Sequence, residues 1–432
     1  MVIASLRRQQ RLLLLSEAAT AFGRNVSQLA IPLIAVLTLH ASALQVGLIT
    51  VAQTLPALCF GPAAGALVDR WNCKRVMVAC NVVRVMGLCS IPALYGQGKL
   101  TIGTLLAVAT FLGTASIFFN PAYRAYLVRV VPRPHLMGAN FLVARGAGLA
   151  EALGVAVGGS IVQLVGAPFA TLATAGTYVF GAVAVLLLPT DTRPGEATAG
   201  APAPAASMLR ELREGWQHVR SLPAVRTMYL VEALGAVGFG MSGAVWAIHV
   251  TVTLSVPPAV QGVVYGVGGV MTILATMVAS RVMSRIRLGH LIWLDHGLGA
   301  LNLATIALVP AVRPWPVVAL SWQRLSTSPL SVLRHVGELT YRQLTVSSGF
   351  VARTESIGIT VIVAAGSVGQ LLGGLVAGVS DTRTTMLVAA AVGMATAVLS
   401  VASTPVRVAA LPARSPTGGR SDHEKDGERM SV

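Results

Sequence analysis

The chain has 432 residues, 54% of them hydrophobic and 11% charged, with a formal net charge of +16 and a mean hydropathy of +0.72. Soluble domains carry about 25% charged residues, so the composition excludes a soluble enzyme or binding domain. The surplus of bases then follows membrane topology, and no nucleic-acid partner is expected.

The opening MVIASLRRQQRLLLLSEAAT has the basic start of a signal peptide, but its apolar run continues through Val36 with no small-residue cleavage site. A short cytosolic arm is expected instead. Segments of roughly 20 apolar residues, each able to cross about 30 Å of hydrocarbon, recur along the chain. They predict helices over 13–38, 44–68, 75–96, 101–128, 137–164 and 168–188. A second set falls over 225–250, 260–283, 290–311, 315–337, 351–379 and 384–404. Between the sets, TDTRPGEATAGAPAPAAS reads as a linker and LRELREGWQHVRS as an amphipathic helix on the membrane surface. The expectation is an all-α polytopic membrane protein with six-helix halves over 1–188 and 225–404. A cytoplasmic linker over 189–224 joins the halves, and a disordered tail covers 405–432.

Basic residues test the count. Arg7, Arg8 and Arg11, then Arg70, Lys74 and Arg75, then Arg129 and Arg133 fall on one side, followed by Arg193 to Arg220, Arg281 to Arg287, and Arg342. The other side has little beyond Lys99, Arg313 and Arg383. That alternation puts both termini in the cytoplasm of a bacterial cell, with the chain in its inner membrane. The halves also echo one another. LSEAATAFG over LVEALGAVG places Glu17 on Glu232 at an offset of 215, and GVAVGG over GQLLGG repeats that spacing. AYRAYL and TYRQLT pair at 218. These matches argue for two parallel, pseudo-symmetric six-helix repeats.

The four cysteines, Cys59, Cys73, Cys80 and Cys89, lack metal-ligand spacing and read as small apolar side chains. No metal and no cofactor are expected.

The stretch GALVDRWNCKR carries the family signal. Gly65, Asp69, Arg70, Lys74 and Arg75 resemble the loop between helices 2 and 3 of the major facilitator superfamily. The resemblance implies that this loop helps latch one conformation. Asn72 stands where the family has glycine, with left-handed backbone as its expected accommodation, and Cys73 replaces a base. PAYRAYLVRVVPRPHLMGAN is similar to the segment joining helices 4 and 5 in the branch that includes enterobactin and macrolide exporters. GVAVGG resembles a degraded antiporter signature with Val155 in place of proline. Gly154, Gly158, Gly159, Gly373 and Gly374 offer small faces for helix packing. The resemblance implies alternating access, with two halves rocking about a midplane cavity.

Ionisable groups at membrane depth are functional candidates by default. Glu17, Glu151 and Glu232 are the candidates for proton exchange, with Arg24 on nearly the same helix face as Glu17 to set its balance between charged and protonated forms. The alternative for these groups is structural ion pairing. Asn25, Gln53, Arg84, Asn120 and Arg145 are candidates to line the cavity. Residues 317–337 interrupt the expected tenth helix with Arg324, Arg334 and Pro329, which fits either a polar helix facing the cavity or a poorly formed span. The loop SRVMSRIRLGH keeps the bases of the latch but lacks its acid.

The reading is a monomeric, proton-coupled exporter of small drug-like or siderophore-like molecules in the lipid bilayer. The excess of arginine over glutamate in the first half supports an anionic substrate. An importer of the same fold and a non-transporting sensor remain alternatives. A polytopic enzyme is the least favoured, because no His-x-x-His, Asp-x-x-Asp or phosphate-binding loop occurs.

Overall fold

The computed structural model describes residues 2–131, 136–188, 216–217, 219–283, 285–346 and 351–403. Most of the expected linker and surface helix, and all of the expected tail, lie outside the described residues. Twelve long helices occur among the described residues, and no strand. The first half contains α1 (Val2–Leu33), α2 (Ala43–Arg70), α3 (Cys73–Gly96), α4 (Ile102–Val130), α5 (Leu136–Val165) and α6 (Ala167–Leu186). The second contains α7 (Pro223–Ile248), α8 (Pro258–Met283), α9 (Leu288–Leu308), α10 (Trp315–Thr345), α11 (Val351–Val379) and α12 (Thr382–Ala402).

Ten are long and apolar enough to cross a membrane. The polar α10 is not among them, and of α5 the described apolar part is Ala152–Val165. Two expectations need correction at helix ends. α1 begins at Val2, so the expected N-terminal arm is helical from the start. α10 is one continuous helix through Pro329 to Thr345, which places Arg342 inside it, buried, and not in a loop.

The duplication is visible in the packing. In the first half α1 packs on α5 and α6, α2 on α4, and α3 on α4 and α6. In the second half α7 packs on α11 and α12, α8 on α10, and α9 on α10 and α12, the same pattern six helices later. Local geometry repeats as well. α1 widens into a π-helical turn at Ile34–Thr38 and α7 into one at His249–Thr253. Each turn is followed by a non-glycine residue in the left-handed region, His40 at φ 51° and Ser255 at φ 54°. The Ala41 amide then reaches back to Ala35 O at 2.9 Å and the Val256 amide to Val250 O at 3.0 Å, satisfying carbonyls that a helix end would leave bare. Glu17 and Glu232, the two turns and the two left-handed residues all share the 215-residue offset of His40 to Ser255.

Several helices start on side-chain caps. Ser42 and Gln45 form a reciprocal capping box on α2, and Thr101 and Thr104 form one on α4. Asn72 Oδ1 accepts the Arg75 amide at 3.1 Å and caps α3. Its φ of −70° and ψ of 109° are extended, so Asn72 occupies the loop as a helix cap and not by left-handed backbone.

The halves meet through two symmetry-related helix pairs, α5 with α8 and α2 with α11. Small residues bring backbones together there. A Cβ on Gly159 would lie 2.3 Å from Pro258 O, and one on Gly262 would lie 2.7 Å from Ala156 O. On the other pair, a Cβ on Gly374 would lie 2.6 Å from Leu44 Cα, and one on Gly47 would lie 2.8 Å from Gln370 O. Gly154, Gly158 and Gly373 make equally close approaches within their halves, to Phe22, Val26 and Met241. Thr54 and Ser367 share a hydrogen bond across the seam at 3.1 Å. These seam contacts fall in the C-terminal parts of α5 and α11 and the N-terminal parts of α2 and α8, at the end of the bundle where α1 and α7 finish.

Because a side chain at Gly262 meets backbone, Gly262→Val should push this end apart. Overpacking of about 1–3 kcal/mol corresponds to about 5- to 150-fold in the closed population. The measurement is the disulfide cross-linking rate of Thr54→Cys with Ser367→Cys in a chain otherwise without cysteine, which should fall by that factor.

Candidate functional site

The densest set of charges among the described residues lies between α7, α9, α10 and α11. Arg334 of α10 is its hub. Its Nε donates to Asp295 Oδ2 at 2.6 Å, and its Nη1 donates to Glu232 Oε1 of α7 and, at 3.2 Å, to both oxygens of Glu338. Ser331, on the same face of α10, donates to the second Asp295 oxygen at 2.7 Å. His296 Nε2 stands 3.4 Å from Glu232 Oε1 without a well-aligned hydrogen bond. One turn beyond Glu338, Arg342 donates from Nε to Glu355 Oε1 of α11 at 2.7 Å and lies 3.7 Å from Glu338 Oε2. The Arg342 guanidinium also rests 5.2 Å from the Tyr229 ring, whose hydroxyl donates to Thr354 O.

Helical geometry explains the assembly. Arg334, Glu338 and Arg342 are spaced at i, i+4 and i+8, so they line one face of α10. The neighbouring helices each present an acid to that face: Glu232 on α7, Asp295 on α9 and Glu355 on α11. Glu338 is only 2% exposed. Four carboxylates thus face two guanidiniums and one histidine. In a site shielded from water, this imbalance is a place where a proton can be held or released.

The equivalent region of the first half is built differently. Arg84 is 2% exposed, its guanidinium 4.7 Å from the Phe119 ring centroid and 5.1 Å from that of Tyr178. It donates to Asn81 Oδ1 at 3.2 Å and Ser116 Oγ at 3.1 Å. Arg84 is therefore held inside the α3, α4 and α6 packing, with almost no surface left for a substrate. Glu17 keeps one carboxylate oxygen, Oε2, buried without a hydrogen-bond partner, within electrostatic range of Arg24, Arg84 and Arg124.

The remaining sequence candidates are dispersed. Asn25 turns back on its own helix, donating to Ala21 O at 2.9 Å. Gln53 is half-buried on α2 and Asn120 is exposed on α4. The side chains of Arg145 and Glu151 lie outside the described residues, as do Gly65, Asp69 and Arg70 of the latch loop. In that loop Lys74 Nζ donates to the carbonyls of Leu186 at 2.9 Å and Leu188 at 2.5 Å, tying α3 to the end of α6, while Arg75 is exposed. Of the four residues singled out for proton exchange, Glu232 is the one placed in the α10 cluster. Sequence reasoning missed Glu338 and Glu355. The i, i+4 run Arg334–Glu338–Arg342 was the available signal for the first of them.

A family model described as Major Facilitator Superfamily matches residues 13–332. The chain belongs to the major facilitator superfamily. It is a multi-pass membrane transporter and not an enzyme. Its relatives include the uncharacterized MFS-type transporter YfiS of Bacillus subtilis (strain 168), 26% identical over 295 residues, 68% of each chain. The multidrug efflux pump Tap of Mycolicibacterium fortuitum is 28% identical over 297 residues, 65% of this chain and 69% of Tap. Among solved structures, the nucleoside transporter NupG superposes with a TM-score of 0.71 at 13% identity, covering 91% of this chain and 98% of NupG. A bacterial homologue of the iron transporter ferroportin, in an inward-facing state, gives 0.69 at 14% identity, over 91% and 98% of the two chains. At such identities these likenesses speak for the fold of this transporter alone.

Removing the hub should be costly. Arg334→Ala leaves Glu232 and Asp295 without that cation and Glu338 with Arg342 alone, and breaking a buried pair in this way destabilises by about 3–5 kcal/mol. Glu338→Gln keeps the shape and lowers the acid surplus, so it should cost far less. Thermal unfolding in detergent should show a large drop for the first and a small one for the second.

Proposed function

We propose that this transporter is a proton-driven exporter of small organic molecules that works by alternating access. The observation that carries the reading is the α10 cluster, in which four carboxylates share two guanidiniums away from water. Glu232 and Glu338 are the proton-exchanging pair, with Arg334 between them. Glu17, its buried oxygen unpartnered, is a second acidic site in the other half. Protonating the cluster weakens the ties that Arg334 makes from α10 to α7 and α9, and so changes the relative stability of the two states of the second half. Arg24 sets the charge balance around Glu17.

Export is favoured by the resemblance of residues 121–140 to the enterobactin and macrolide exporters and by the likeness to a multidrug efflux pump. The alternation of bases supports cytoplasmic termini and a site in the bacterial inner membrane, and we take the transporter as a monomer. The halves over 1–188 and 225–404 rock as units on the linker over 189–224, and the loop of Asp69, Arg70, Lys74 and Arg75 latches one state. Gln53 and Asn120 line the path between the halves.

Overexpressing cells should accumulate less of an exported drug or siderophore than deletion cells, and a protonophore should erase the difference. Glu338→Gln and Glu232→Gln should remove the protonophore-sensitive clearance while leaving folded protein in the membrane, and Glu17→Gln tests the second site. Unchanged clearance in both cluster variants would overturn the assignment. Energy-dependent retention in place of clearance would reverse the direction.

A further inference from the structure

Arg324 of α10, half-buried, differs from Arg84, Arg334 and Arg342. Its guanidinium carbon lies 3.7 Å from the ring centroid of Tyr265 on α8 and 6.0 Å from that of Trp246 on α7. One turn beyond Tyr265, Gly268 leaves the space in which the arginine stem lies. A Cβ there would come within 3.2 Å of Arg324 Cδ and 2.9 Å of Ser328 Oγ. Among the described residues Arg324 has neither a carboxylate nor a hydrogen-bond partner. Arg84 has two hydrogen bonds, Arg334 three carboxylates and Arg342 two. Near Arg324, Trp246 Nε1 is buried without a partner.

An arginine side chain keeps its charge in a protein, and a charge at membrane depth without a counter-ion is costly. Arg324 stands about 14 Å along α10 at about 1.5 Å per residue. Two aromatic rings compensate part of that cost, about 2 kcal/mol when desolvated. A ring offers the guanidinium no strong hydrogen-bond acceptor, so its donor edge is left without one among the described residues. That edge holds a fork of donors whose spacing fits a carboxylate or phosphate.

We infer that Arg324, framed by Trp246 and Tyr265, is a substrate subsite for the oxyanion group of a small organic anion. The carboxylate pairs with the free edge of Arg324, and the planar body of the molecule lies against the rings. Trp246 Nε1 supplies a further donor. This deepens the exporter reading by naming a substrate class, and rests on it only for the direction of travel.

The test uses the purified full-length protein in detergent, titrated calorimetrically with 1-naphthoate and its neutral isostere 1-naphthamide. The naphthoate should bind about tenfold or more tightly than the amide, the difference expected of a charge-assisted pair. Arg324→Gln should abolish the preference. Arg324→Lys, which keeps the charge but loses the fork, should weaken naphthoate by about tenfold, while Arg313→Gln, on the exposed loop before α10, should change nothing. Equal affinity for the two probes, no binding of either, or a preference that survives Arg324→Gln would overturn the proposal. Binding in detergent needs no gradient. A failure here therefore leaves proton coupling at Glu232 and Glu338 standing, and a failure of coupling leaves the binding difference standing.

Discussion

A charge carried into lipid has to find its partner inside the protein, and the second half of this transporter is organised by how Arg334 meets that demand. Its guanidinium ties α10 to α7 and α9, and the chain Glu338–Arg342–Glu355 continues the tie to α11. In the first half the same scaffold holds Arg84 with aromatic rings, an amide and a hydroxyl. The duplicated helix packing thus supports two electrostatic designs. One half has a neutral, ring-lined cage around a cation, and the other an acid-rich network. The network can change its charge by a proton while Arg334 keeps other carboxylates.

The seam between the halves follows a different rule. Without water to drive association, helices in a bilayer approach by shape and by small side chains. Gly159 and Gly262 on one pair, and Gly47 and Gly374 on the other, let backbones meet nearly atom to atom. Such contacts are strong when formed and lost entirely when the helices separate, because no side chain spans a wider gap. A seam of this kind suits two discrete states better than a graded motion.

Much of this was legible in the chain. Apolar length, the alternation of bases and the repeat at 215 residues define twelve helices in two halves, and the repeat singles out Glu232. The α10 cluster was not legible as a cluster, for a physical reason. Arg334 and Glu232 are 102 residues apart, and which acid faces which base depends on helix rotation that sequence spacing alone does not fix. The same charges made residues 317–337 look like a damaged span, since hydropathy counts an arginine as a cost whether or not it is paired. Asn72 shows a smaller version of the problem. Its side chain serves the helix that follows, and a reading built on the preceding loop could not see the cap.

The two arginines of α10 give the proposals a common mechanical element. Arg324 and Arg334 stand about 15 Å apart on one helix at about 1.5 Å per residue, with Pro329 between them. If an anion at Arg324 and a proton in the Glu232–Glu338 cluster each favour some orientations of α10, as proposed, linkage requires that each changes the affinity for the other by the same factor. For the proposed proton exchange, the electrical consequence fits export. An organic anion leaving an inside-negative cell in exchange for one entering proton moves two charges along the field, each contributing about 2.3 kcal/mol per 100 mV. A neutral substrate exchanged for the same proton would gain half of that electrical drive, and a cation none. On these proposals, a cationic subsite on α10 would make the acid cluster a more effective coupling device than it would be alone.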